Sequence, residues 1–172
     1  MTVHTTFDSP IGPLLLVGEV SAEPGGPTAL AWLTMAGQKN APAIRPEWEH
    51  RPAAFAGITA QLDAYFAGEL TGFDVPFADS GTGSEFKQRV WDALMAVPYG
   101  TTTTYGEIAR RLGVPRAEIR ALGAAIGANP VSIVRPCHRV IGADGSLRGY
   151  AGGLERKREL LTLEGALQPM LG

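Results

Sequence analysis

Apolar and polar residues alternate in three short runs at the start of the chain, VHTTF, LLLVGEV and TALAWLTM, separated by turn-forming DSPIGP and SAEPGGP. A period of two, broken by Gly and Pro, predicts the hairpins of a small antiparallel sheet. Residues 36–52 hold neither a strand nor a helix period and read as loop. In AAFAGITAQLDAYFAGEL, residues Phe55, Ile58, Leu62, Tyr65 and Phe66 recur at helical spacing, with Gly68 near the end. One helix covering the sheet is predicted.

FDVPFADSGTGS, rich in Gly, Ser, Asp and Pro, then interrupts the pattern, which places a domain boundary between residues 1–79 and 80–172. Beyond it, Phe86, Val90 and Leu94 stripe one face of SEFKQRVWDALMAVP, a helix closed by Pro98. Thr104 and Glu107 fit a capping box that opens YGEIARRLG, and Gly113 stops that helix. Pro115 can begin another, RAEIRALGAAIGA, ending before Asn129-Pro130. Two short helices joined by a Gly-containing turn match a helix-turn-helix, although helical hairpins that never meet DNA share the pattern. VSIV reads as a short buried strand, VIGADGSLRGYAGG as a hairpin-like return, and LERKRELLTLEG as an amphipathic helix stopped by Gly165.

With 172 residues and 45% hydrophobic composition, the chain can bury two compact cores. Its net charge of −2 hides a split: residues 1–79 carry 3 basic against 9 acidic residues (−6), and residues 80–172 carry 12 against 8 (+4). Such asymmetry fits a polyanion contact made by the second half, or a plain solvated basic face. No apolar run is long enough for a membrane helix, and MTVHTTFDSP lacks the basic and apolar regions of a signal, so a soluble cytoplasmic protein is expected. One cysteine forms no internal disulfide and no multi-thiolate zinc site, and the three scattered histidines have no HExxH pairing.

That cysteine, Cys137 in RPCHRVIG, is the centre of the candidate chemistry. A lone cysteine is commonly a small buried hydrophobe. Here Arg135, His138 and Arg139 surround it, and their positive potential would favour the thiolate, the reactive form. His138 is a candidate base only if a tight bend or a bridging water brings imidazole to sulfur, because neighbours in an extended chain point apart. A surface or core histidine is the other reading. Glu164 lies three and four residues after Leu161 and Leu160, on the apolar stripe of the last helix and at its carboxyl end. A carboxylate there needs a compensating partner such as His138, or else sits in solvent at a frayed end.

These segments resemble the O6-alkylguanine-DNA alkyltransferases, also called methylated-DNA-protein-cysteine methyltransferases. The resemblance rests on PCHRV with IGADGSLRGYAGG, RALGAAIGANP, PYGTTTTYGEIA and the terminal LEG, in the family's order from about residue 82 to 165. DSPIGPLLL and AYFAGEL look like the family's amino-terminal domain. The implied fold is α+β: a ribonuclease H-like sheet with a covering helix, then a winged helix-turn-helix-like domain.

The implied activity is direct-reversal repair. An O6-alkylguanine, with O4-alkylthymine as a further candidate, is flipped out of duplex DNA and its alkyl group passes irreversibly to the cysteine. The resemblance makes Cys137 the acceptor, His138 its activator through a water, and Glu164 the group that orients His138. Tyr105 would donate to the guanine ring nitrogen, Arg120 would fill the vacated stack, and Asn129 would tie the recognition helix to the cysteine loop. Ala121, Gly123 and Ala128 fall on the DNA-facing helix, and Val140, Tyr150, Ala151 and Gly152 on the pocket wall. Gly123, Ala124, Ala125, Gly127 and Ala128 would permit a close, largely sequence-independent approach to the minor groove.

A thioether is not readily hydrolysed, so one turnover per molecule is expected, by a monomer, with cooperativity along DNA left open. No cofactor or metal is expected, and the cysteines of the zinc site found in some family members are missing. Three positions depart from the family pattern. Arg135 replaces an apolar residue and is open to three readings: a phosphate contact, an altered strand, or a solvent-facing side chain. Gly127 and Ala128 stand where a basic residue is common, and Ala151 where a serine is. A non-catalytic binder or sensor of alkylated DNA, its cysteine inert, is the alternative, and a cysteine hydrolase unrelated to DNA is a third reading.

Overall fold

The structure, a computed structural model, describes residues 1–168; residues 169–172, which end the expected second domain, lie outside the described residues. Two compact units divide the chain, Met1–Thr82 with Pro130–Val134, and Gly83–Asn129 with the segment from Arg135 onward.

In the first unit β1 (Thr2–Ser9), β2 (Gly12–Glu19), β3 (Ala29–Met35) and β4 (Glu49–His50) form a sheet of order β3-β2-β1-β4. β1, β2 and β3 pair antiparallel as expected, whereas the two-residue β4, inside the expected loop, pairs parallel to β1. The β1–β2 turn is tight because Gly12 takes φ 101° and Ser9 Oγ donates to its carbonyl at 2.6 Å. Val3, Leu14, Leu16, Leu30 and Leu33 are fully buried. Their helical counterpart is α1 (Ala56–Phe66), entered through a 3₁₀ turn at Pro52–Phe55 that buries Phe55, Ile58, Leu62 and Tyr65. Phe66 is half-buried, its ring edge-on to Tyr65 at 5.1 Å.

VSIV is buried but is not a strand. Val131 makes one bridge to Leu33, whose N–H donates to Pro130 O (2.9 Å) and whose carbonyl accepts from Ser132 N–H (3.0 Å). The segment then turns sharply: Val134 N–H donates to Ser132 O at 2.8 Å, with Ile133 at φ 72°. That left-handed conformation is costly for a β-branched residue, so the turn is imposed by its surroundings. An apolar run reports burial; it does not report extension.

The second unit opens with α2 (Glu85–Leu94), capped by Ser84 Oγ accepting from Lys87 N–H at 3.1 Å. β5 (Thr103–Thr104) leads into α3 (Tyr105–Leu112), and α4 (Ile119–Gly127) follows a 3₁₀ turn at Arg116–Glu118. Helix α3 ends at Gly113, whose φ of 68° is the left-handed cap that glycine adopts without strain. Half of the expected capping box forms: Thr104 Oγ1 accepts from Glu107 N–H at 3.1 Å, while the Glu107 carboxylate turns to Arg110 at 2.6 Å. Val90, Trp91, Leu94, Ile108, Leu122, Ala125 and Ile126 pack as one core, and the Trp91 indole N–H donates to Ala125 O at 2.9 Å.

β6 (Val140–Ile141) departs from the expected hairpin by pairing parallel to β5. Gly142 N–H donates to Ser146 O at 2.8 Å, closing a tight loop, and the chain returns without a partner strand to α5 (Leu154–Leu163). The α+β architecture therefore holds, with α3 and α4 as the helix-turn-helix and β5–β6 beside it.

Replacing Thr104 with Ala removes a satisfied N-cap and is expected to lower stability by about 1 kcal/mol, with Thr104→Ser close to neutral. Urea unfolding of the three proteins checks both values.

Candidate active site

Every residue from Arg135 to Val140 is buried, so the backbone that carries Cys137 is held by packing. Cys137–Arg139 form a 3₁₀ turn, the bend that adjacent cysteine and histidine side chains require. The carbonyl of Arg135 anchors it by accepting from Cys137 N–H (2.8 Å) and Asn129 Nδ2 (2.9 Å). Asn129, just beyond α4, thus ties that helix to the cysteine turn.

Glu164 caps the carboxyl end of α5 and is buried rather than solvated. Its Oε2 lies 2.7 Å from His138 Nε2, and its two oxygens accept from Arg139 Nε at 2.8 Å and Nη2 at 3.1 Å. Arg139 Nη1 donates onward to Val97 O at 2.7 Å. The compensating charge is therefore Arg139, with His138 as a second partner. With Nε2 facing a carboxylate, the neutral ring keeps its proton there and turns the lone pair of Nδ1 inward. Nδ1 is buried without a hydrogen-bond partner among the described residues. Burial pulls the His138 pKa below 6.5 despite Glu164, so the folded protein favours neutral imidazole, a base ready to take a proton.

The expected cationic ring around the sulfur is not what forms. Burial pushes the Cys137 thiol up, opposed by a hydrogen bond from Asn129 and the charge of Lys157. Arg139 is engaged by Glu164, and Arg135 lies over the Trp91 ring at 5.3 Å. Arg135 is itself buried, which removes the solvent-facing and phosphate-contact readings. Desolvation lowers its pKa, partly offset by Asp92.

Cys137 borders a cavity of about 160 Å³ with Tyr105, Gly123, Ile126, Gly127, Gly149, Tyr150 and Ala151. Tyr105 sits at the first position of α3, where burial and the Cys137 charge raise its pKa and keep it a proton donor. Of the expected wall residues, Tyr150 and Ala151 line the cavity. Val140 and Gly152 are buried beside it and do not. Along α4, Leu122, Ala125 and Ile126 face the core, and Arg120, Ala121, Ala124 and Gly127 face solvent, with Gly123 and Ala128 between. Apart from Arg120, that outer face bears nothing larger than a methyl group. The sequence does not mark Gly123, Ile126, Gly127 and Gly149 as wall residues, nor Lys157 as a buried neighbour of the site. Lys157 lies three, four and seven residues before Leu160, Leu161 and Glu164, so the stripe that exposed Glu164 also contained it. No group of three or more His, Cys, Asp or Glu placed to hold a metal exists among the described residues.

Two family models match the chain. The "6-O-methylguanine DNA methyltransferase, ribonuclease-like domain" covers residues 2–78, and the "6-O-methylguanine DNA methyltransferase, DNA binding domain" covers residues 85–166. A methylated-DNA–protein-cysteine methyltransferase of Mycobacterium tuberculosis is 52% identical over 169 residues, 98% of this chain and 96% of that protein. One from Methanosarcina acetivorans is 47% identical over 163 residues, 95% and 98% of the two chains. The crystal structure of Mycobacterium tuberculosis OGT in complex with DNA superposes with a TM-score of 0.81 at 50% identity, covering 95% of this chain and 92% of that one.

Because His138 is held neutral, its contribution to stability is full above about pH 6.5 and is lost as pH falls below that value. Melting temperature measured from pH 7.5 to 5 is expected to drop more in wild type than in His138→Gln. Glu164→Gln leaves a buried guanidinium without its carboxylate and is expected to cost about 3–5 kcal/mol, read by urea unfolding at pH 7.5.

Proposed function

The chain belongs to the 6-O-methylguanine DNA methyltransferase family, and from that membership we propose that it repairs O6-alkylguanine in duplex DNA by moving the alkyl group onto Cys137. The observation that carries this reading is the thiol at the wall of a small cavity reached past a helix face of glycine and alanine. An alkyl carbon inside a base stack is out of reach of a buried sulfur. The nucleotide must therefore turn out of the duplex into the cavity.

The outer face of α4 suits that task. Methyl-sized side chains let backbone approach the minor groove closely, and they offer no long polar groups to read base edges, so binding is largely independent of sequence. Arg120, at the start of this face and exposed, fills the space that the extruded base leaves. The basic excess of residues 80–172 adds attraction for the phosphates.

In the cavity the Cys137 proton passes through a water to His138 Nδ1, and the resulting imidazolium is stabilised by Glu164. The sulfur then attacks the alkyl carbon. An S–C bond forms, the C–O6 bond breaks, and its electron pair passes into the guanine ring. Tyr105 donates to the ring nitrogen, so guanine departs without carrying full negative charge. The thioether has no route back to thiol in a chain with one cysteine, so each molecule acts once. The displacement balances between the thiol and the alkylated base alone, with no oxidant, reductant or further reactant.

No described helix is long and apolar enough to cross a membrane, and a working thiol needs a reducing compartment, so we propose the cytoplasm as the site of action. A non-catalytic sensor is not favoured, since the Arg135 side chain that could have disabled the cysteine is directed onto Trp91.

Incubation with duplex DNA containing O6-methylguanine is expected to add one methyl group to the Cys137 peptide, at one equivalent per protein, by mass spectrometry. Cys137→Ser should give none. Binding without an adduct at excess protein would support the sensor, and repeated turnover would support a hydrolase.

A further inference from the structure

Lys157 is buried on the inner face of α5, 1% exposed. Its Nζ donates to three carbonyls, those of Val140 (2.6 Å), Leu147 and Gly149 (3.0 Å). Val140 continues directly from the Cys137–Arg139 turn, and Gly149 lines the cavity beside Tyr150 and Ala151. One ammonium thus joins α5, the strand leaving the cysteine, and the loop forming the cavity wall.

Three carbonyls satisfy its hydrogens and leave its charge unmatched. Lys157 makes no ion pair with a carboxylate among the described residues. On its own helix Glu155 is exposed and Glu164 is taken by Arg139 and His138. The other charged side chains of that helix are the cationic Arg156 and Arg158 and the exposed Glu159, and on the loop whose carbonyls it holds Arg148 pairs with Asp144 at 3.8 Å. From the facing turn the groups that act on it or feel it are Cys137, which favours its charged form, and His138, whose own protonation Lys157 opposes. A buried charge without a counter-ion is costly, and the local site is short of one anion until Cys137 ionises.

We propose that Lys157 is a positioning residue for alkyl transfer, a buried ammonium that straps the cavity wall to the cysteine's own strand and opposes the charge of the Cys137 thiolate. The proposal rests on the transfer reading above. Desolvation brings the Lys157 pKa down to about 8, so the charge is carried at neutral pH and is lost not far above it. The thiolate is stabilised by that charge and in turn helps to retain it.

The test uses Lys157→Gln, which keeps N–H donors and removes the charge, and Lys157→Arg, which keeps the charge. Carbamidomethylation of Cys137 by iodoacetamide, followed against pH without DNA, reads thiolate formation; single-turnover methyl transfer from O6-methylguanine DNA reads function. Lys157→Gln is expected to move the carbamidomethylation profile about one pH unit alkaline and to slow transfer about ten-fold at pH 7.5, with the deficit shrinking as pH rises. Lys157→Arg should keep the wild-type profile.

Unchanged profiles in a folded Lys157→Gln protein, or a loss of transfer that is the same at every pH, overturn the proposal. If Lys157→Gln does not fold, the wild type decides. Blocking Cys137 with neutral iodoacetamide should lower the Lys157 titration seen in its ¹³Cε shift, and an unmoved titration counts against the idea. Failure of wild-type transfer with the carbamidomethylation shift intact would refute the DNA reading and leave the Lys157 pairing standing.

Discussion

A carboxylate buried at the negative end of a helix is the constraint on which the reactive unit depends. Glu164 suffers both desolvation and the dipole of α5, and it is tolerable only because Arg139 grips both oxygens and His138 closes the remaining side. Satisfying that one charge fixes much else. It holds the carboxyl end of α5 to the cysteine turn, sets the tautomer of His138, and reaches the end of α2 through Val97. Structural and chemical demands fall on the same group: the carboxylate that Arg139 neutralises is also the one that, by holding His138 Nε2, aims the free lone pair of the imidazole.

A second constraint lies in the route of the chain. Between Asn129 and Arg135 the backbone leaves the second unit, pairs briefly with β3, and turns back through the strained Ile133. The hydrogen bond from Asn129 to Arg135 O closes this excursion where it returns. The same carbonyl accepts the amide of Cys137. A left-handed β-branched residue, a shared carbonyl and a 3₁₀ turn follow one another within a few residues, and such crowding is tolerable only where packing over-determines the backbone.

How much was legible in the sequence depended on whether the physics was local. Alternation located β1, β2 and β3, and helical spacing located α1 to α5, because apolar periodicity is written into every turn of those elements. Glu164 was visible as a polar residue on an apolar stripe, but its chief partner was not, since nothing in RPCHRV says that Arg139 turns inward. Lys157 lies on the same stripe, but the stripe alone does not mark it as buried, because lysine on a helix is ordinarily a solvent residue. VSIV reads as a strand in the sequence because burial and extension share one signature in an apolar run. The cationic character around Cys137 was misplaced for a related reason: adjacent letters suggested adjacent charges, whereas Arg135 packs on Trp91 and Arg139 on Glu164.

The plain outer face of α4 shifts the burden of discrimination. Where that face meets DNA as proposed, a surface of glycine and alanine cannot recognise a lesion from outside, so intact and damaged guanines look alike until one is drawn into the cavity. Each inspection then costs an unstacking event, a few kcal/mol for an undamaged pair and less for a weakened one. On that reading the rate of inspection follows how often base pairs open, which favours sites that damage has already loosened.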